Sequence, residues 1–180
     1  MHLSIAIDPG TVFQGVAYRR NNEMRVNYGS IVLPSAQYAD LELFKERIDS
    51  EKFGRELIWQ LPDCTSVTVF IERPDRRLAL NDRRTGGNQQ DYRDLKSVIS
   101  CWKQLFLSYL MEASVIEVDS LKWQKRLLGR DWSGKDSAKR LSLHYARQRV
   151  PTLSPNSSDH ITDAVCLLIY AEGICRSNSP

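Results

Sequence analysis

LSIAIDPGTVFQGVAY, residues 3–18, holds two strands and the turn between them. Leu3, Ile5 and Ile7 form an apolar run broken only by Ser4, as expected of a strand buried on both faces. Pro9 and Gly10 force a tight turn, and Phe13 to Tyr18 is a second apolar run that includes the small residues Gly15 and Ala17. Asp8 stands where the first strand ends. A carboxylate on a rigid strand end suits a site that must be held in place, whereas an Asp before Pro-Gly equally serves as a turn cap.

Beyond this stretch, Asn21-Asn22 is a natural hairpin turn and Met24 to Leu33 reads as a third strand, so the fold opens with an antiparallel meander. After a loop over Pro34 to Asp40, Asp40 can cap a helix to about Leu61, with Leu41, Phe44, Ile48, Leu57 and Ile58 inward and Gly54 weakening its middle. Thr65 to Glu72 (TSVTVFIE) is a β-branched, apolar fourth strand that again ends in a carboxylate. Pro74 to Gly87 is a basic loop, and Gln89 to Met111 a long helix. Its apolar residues Leu95, Val98, Ile99, Trp102, Leu105, Phe106, Tyr109 and Leu110 form a stripe wider than one sheet contact needs. Either a well-buried core helix or a dimer contact accounts for that width.

Ser114 to Val118 is a fifth strand. Asp119-Ser120 caps a short helix to Leu128 that Gly129 ends, and another helix runs from Lys135 to Arg149. The last helix, Asp159 to about Glu172, is apolar almost all round, which places it deep against the sheet. Residues 1–175 are expected to form one domain and 176–180 a short disordered tail.

With 180 residues, 42% of them hydrophobic, one domain with a substantial core is expected. The net charge of +3 announces no partner, but the charge is polarised along the chain. Lys122, Lys125, Arg126, Arg130, Lys135, Lys139, Arg140, Arg147 and Arg149 face only Asp131 and Asp136, whereas acidic residues gather between Asp40 and Glu56. Cys64, Cys101, Cys166 and Cys175 are widely spaced and read as reduced core residues of a cytosolic protein. No apolar stretch is long enough for a membrane span and no signal-peptide pattern opens the chain, so a soluble, intracellular protein is expected.

Three carboxylates recur in one structural place: Asp8 and Glu72 at strand ends, and Asp163 in the first turn of the buried last helix. Two strand ends and a helix start can meet at one sheet edge. Clustered carboxylates repel one another unless divalent cations neutralise them. Mg²⁺ takes hard oxygen ligands, and two such ions about 3.5–4 Å apart stabilise the attacking and leaving oxygens of phosphoryl transfer. That chemistry points to a nuclease. Asp159 and His160 lie four and three residues before Asp163, so both share a helix face with it. Asp159 serves either as an N-cap or as a metal ligand, and His160 as a helix-end residue, a metal ligand or a proton donor at the scissile phosphate.

With IAIDPGTVFQGVAY at the start, VFIERP in the middle and DHITDAVCLL near the end, the chain resembles the RuvC family of Holliday-junction resolvases over nearly its full length. The resemblance implies an α/β, ribonuclease H-like fold: a five-stranded mixed sheet, its second strand antiparallel, flanked by helices. It further implies a homodimer that uses two Mg²⁺ per site, Mn²⁺ substituting, to place paired symmetric nicks in a four-way DNA junction. Asp8, Glu72 and Asp163 match the family's carboxylates, and His160 falls where members carry Asp or His. Asp8, Glu72, His160 and Asp163 are thus the expected catalytic residues, and these four with Asp159 the expected metal ligands. Lys135 and Lys125 resemble the family's DNA-backbone contacts.

Around them, Lys122, Arg126 and Lys139, together with Arg73 and the loop arginines Arg76, Arg77, Arg83 and Arg84, are further candidates for phosphate contact. The chain departs from the family after Glu72: where bacterial members tend to place an aromatic that stacks on a junction base, Arg73, Pro74 and Asp75 stand here. A nuclease of this kind would work in the cytoplasm of a bacterial or virally infected cell, or in an organellar matrix; the sequence names no helicase partner. A fork, flap or RNA:DNA-hybrid nuclease would need the same carboxylates, and a non-catalytic junction-binding protein would need only the basic surface.

Overall fold

In a computed structural model, residues 1–21, 23–33, 40–74, 89–109, 112–129 and 135–177 are described, with the side chains of 89, 135, 136 and 175–177 left aside. β1 (His2–Asp8), β2 (Phe13–Arg20) and β3 (Asn27–Val32) form the antiparallel meander that the opening residues dictate. β4 (Ser66–Arg73) pairs parallel with β1, and β5 (Ala113–Asp119) parallel with β4, giving one five-stranded sheet of order β3-β2-β1-β4-β5. β1 is central, so its residues are buried on both faces, as the unbroken apolar run requires.

Alternation along the strands sorts two cores. Leu3, Ile5, Ile7, Val16, Val69 and Ile71 pack with the helices α1 (Leu41–Ser50), α2 (Lys52–Ile58) and α3 (Gln89–Tyr109) through Phe44, Ile48, Leu57, Trp102 and Phe106. Trp102 stacks on Phe106 and meets Phe44 edge-on, at centroid distances of 5.7 and 5.2 Å. Most of the broad α3 stripe is therefore core; Leu95 is half-buried, and Tyr109 and Leu107 are exposed. On the opposite face Ala6, Ala17 and Phe70 pack with α4 (Ser120–Leu128), α5 (Lys135–Arg149) and α6 (Asp159–Ser177).

Three boundaries differ from expectation by more than one residue, and β3, β4 and β5 otherwise shift by a single residue at their ends. The helix expected from Asp40 to Leu61 is two helices, α1 and α2, broken at Glu51, whose backbone is extended at φ −79°, ψ 129°. Gly54 does not weaken a continuous helix. It lies where α2 folds back on α1, and a Cβ there would stand 2.2 Å from the Ile48 carbonyl oxygen. The third strand starts at Asn27 instead of Met24, whose side chain is 98% exposed. α6 continues past Glu172 to Ser177. The caps fall as expected: Asp40 accepts from the backbone N–H of Glu42 and Leu43, Asp119 accepts from that of Leu121, and Gly129 ends α4 at φ +79°.

Among the described residues, no helix is long and apolar enough to cross a membrane. Cys64, Cys101 and Cys166 are free thiols, the last two buried. Burial pushes all three thiols above their ordinary range.

A carboxylate cleft at the sheet edge

β1 and β4 lie side by side, their last paired residues being Ile7 and Ile71. Asp8 and Glu72 come next on each strand, so parallel pairing alone puts two carboxylates about one strand spacing apart, ~4.8 Å, on the same face. That face is the one covered by α6, whose first turns bring Asp163, His160 and Asp159 to the same edge. Asp8, Glu72, Asp159, His160 and Asp163 line a single cleft of about 420 Å³, together with Pro9, Arg73, Pro74, Leu95, Ser120 and Lys139.

The helix reaches the strand ends because β1 and β2 present small residues beneath it, Ala6, Gly15 and Ala17. Gly15 pairs with Asp8 across the β1–β2 ladder, and a Cβ on it would lie 1.8 Å from the His160 carbonyl oxygen. No side chain fits between β2 and α6 at this level. The Pro9-Gly10 turn is tight for the same reason, since a Cβ at Gly10 would meet the Phe13 carbonyl oxygen at 2.2 Å and the His160 ring at 3.0 Å.

Each acidic group is held by a specific partner. His160 Nδ1 donates to Asp8 Oδ2 at 2.6 Å. The buried indole of Trp123 donates from Nε1 to Glu72 Oε2 at 2.7 Å. The Ser142 side chain hydrogen-bonds Asp163. Asp159 pairs with Lys139, and helix capping falls to Ser158, which accepts from Ile161 N at 3.4 Å.

Burial and mutual repulsion raise the acids. Glu72 is driven well above the ordinary carboxylate range by desolvation and then by Asp8 and Asp163. Asp163 is pushed up to about 7 by burial first and Asp8 second, against the lowering effect of Ser142. His160 is raised chiefly by its bond to Asp8, against desolvation. The group thus holds more negative charge than it can stabilise alone. Protons or cations must share it.

That donor set is of the right kind for Mg²⁺ or Mn²⁺. Among the described residues, no three His, Cys, Asp or Glu side chains are grouped as a self-sufficient metal site. Mg²⁺ sites of nucleotide-processing enzymes use one or two carboxylates and fill the remaining positions with water and substrate phosphate. The cleft fits that pattern.

The expected nucleic-acid contacts divide into groups. Lys122, Lys125 and Arg126 are exposed on α4. Arg73 lines the cleft but is bonded to Asp119 at 2.5 Å, and Lys139 lines it in its pair with Asp159. Arg76, Arg77, Arg83 and Arg84, and the Lys135 side chain, lie outside the described residues.

Three contributors escaped the sequence reading. Trp123 is the one aromatic in a basic helix, SLKWQKRLL. Ser142 gave no signal at all. Gln14 is a fully buried amide in an apolar strand; it donates to the Gly10 carbonyl and accepts from Trp102 Nε1 at 3.4 Å, tying the Pro9-Gly10 turn to the core. A lone Gln in such a run was the available clue.

The mixed sheet, its antiparallel second strand and its flanking helices define a ribonuclease H-like fold. Within that class the chain is similar to RuvC. It superposes on Thermus thermophilus RuvC in complex with a Holliday junction substrate with a TM-score of 0.61 and 12% identity, covering 97% of this chain and 95% of that one. A second Thermus thermophilus RuvC structure gives 0.56 and 11%, covering 98% and 97%. No protein-family model matches the chain, and no curated protein matches it in sequence. At this identity the likeness shows the fold.

Proposed function

We propose that this protein is a structure-specific DNA endonuclease that resolves four-way junctions by paired nicks, acting as a homodimer. One observation carries the reading: Asp8, Glu72 and Asp163 line one cleft with Asp159 and His160, in a chain whose fold is that of RuvC. Asp8, Glu72 and Asp163, with Asp159 and His160 beside them, would hold two Mg²⁺ or Mn²⁺ ions. Such ions, when bound, supply a nucleophilic water and polarise the phosphodiester. His160, bonded to Asp8 on the wall of the same cleft, would serve either as a further metal ligand or as the proton donor to the departing 3′ oxygen, and cleavage would leave 5′-phosphate and 3′-hydroxyl ends. Lys122, Lys125 and Arg126 offer an exposed cationic helix to the phosphates of a junction arm.

The test is incubation with a synthetic four-way junction in Mg²⁺, alongside a linear duplex, a fork and an RNA:DNA hybrid, with Asp163→Asn as control. Symmetric nicks in the junction alone are expected. Equal cutting of the fork or hybrid would move the assignment to a broader nuclease of this fold. Binding without cleavage would make the protein a junction-binding factor.

A further inference from the structure

Two separate bonds tie the end of β4 to one helix. Trp123, fully buried in α4, donates its indole N–H to Glu72. Arg73, the next residue, donates to Asp119 Oδ2, and the same carboxylate caps α4 through Leu121 N at 3.0 Å. The Trp123 ring belongs to the apolar cluster that includes Phe70, Ala146 and Leu167, so its N–H is presented to Glu72 from a ring packed on the core. Lys122, Lys125 and Arg126 of that helix face solvent.

A buried indole N–H needs an acceptor. Here the acceptor is a carboxylate of the cleft, on an otherwise flexible Glu side chain. We infer that Trp123 is a positioning residue for Glu72, carried on the helix whose outer face meets nucleic acid, so that the element gripping DNA also fixes one carboxylate of the cleft. The inference rests on the nuclease reading given above.

The test replaces Trp123 in the full chain by benzothienylalanine, which keeps the bicyclic shape and puts sulfur where the N–H was, with Trp123→Phe as the genetically simple companion. Four quantities are read: kcat and KM on the four-way junction in Mn²⁺, junction affinity in EDTA, Mn²⁺ affinity of the protein alone by calorimetry, and the melting temperature. For the isostere, kcat should fall by about 10- to 100-fold, the range for loss of a hydrogen bond to a charged group. Mn²⁺ affinity should weaken, while KM, junction affinity and melting temperature stay near wild type.

An isostere with wild-type kcat and Mn²⁺ affinity would overturn the inference, since Glu72 would then merely satisfy the indole. A fall in kcat matched by a fall in melting temperature in the isostere would overturn it too, as a loss of fold. Wild-type protein that cuts no branched DNA would instead refute the nuclease reading, and this inference with it.

Discussion

On β1, Leu3, Ile5 and Ile7 point to one side of the sheet and Ser4, Ala6 and Asp8 to the other, and β2 repeats the division with Val16 and Tyr18 against Gly15 and Ala17. The large-residue face meets α1 to α3 through Phe44, Trp102 and Phe106 and carries no residue of the carboxylate group. The small-residue face meets α6 at close range and carries all of it. A side chain of ordinary size spaces a helix from a sheet; Gly15 and the two alanines remove that spacer. The first residues of α6 are thereby lowered onto the strand ends, where Asp8 and Glu72 already stand. One face of the sheet is built for stability and the other for proximity.

The sharpest way to separate the two is Asp163→Asn, which should cut junction cleavage by roughly 10³-fold, several kcal/mol of lost charge stabilisation, while leaving junction binding in EDTA unchanged. Loss of binding as well would make Asp163 part of the architecture. Next comes Gly15→Ala. Its Cβ has no room beside the His160 carbonyl, so α6 must shift, at about 1–3 kcal/mol of stability by denaturant melts. Cleavage should drop further than that loss explains, because Asp163 and His160 move with the helix. Unchanged kcat in a folded Gly15→Ala protein would show that proximity is not what this face provides.

The pH dependence of metal-free stability is a subtler probe. Asp163 stands near 7 in the folded protein against 3.8 when unfolded, so between those values the native state binds the extra proton. Stability from this group is complete below about 4 and is lost as pH rises through about 7. His160, also raised, loses its contribution in the same direction as pH climbs above 6.5. Melting temperature in EDTA should therefore fall from pH 4 to 7, Asp163→Asn should reduce that fall and leave the part that belongs to Glu72, which is raised in the same direction, and Mg²⁺ should restore stability at pH 7 more in wild type than in the variant. A flat wild-type profile would mean that the acids do not repel as their placement implies. The smallest effect belongs to the opposite face: Ile5→Val should cost about 0.5–1.5 kcal/mol in stability and leave kcat where it was.

Much of this was legible in residue order. The alternation of Leu3, Ile5 and Ile7, the Pro9-Gly10 turn and the β-branched run before Glu72 are local signals, read from two-residue periodicity and turn chemistry. They placed two carboxylates at strand ends, and helical spacing placed Asp159, His160 and Asp163 together. The break at Glu51 was not legible, because α1 and α2 are both helical by pattern and their fold-back is set by contact between Gly54 and Ile48. Nor was the division of labour at the start of α6, where Ser158 and Asp159 are equally good caps by type. Lys139, twenty residues away, takes one of them.

By itself, then, the sequence determined the strands, the order of elements and the set of acidic residues, since each follows from chain-local chemistry. Tertiary structure alone decided the partners: His160 for Asp8, Trp123 for Glu72, Ser142 for Asp163. These residues lie far apart along the chain and share no periodicity with the groups they hold. They meet only because the sheet pairs β1 with β4 and a face of small side chains lets a helix come down on both.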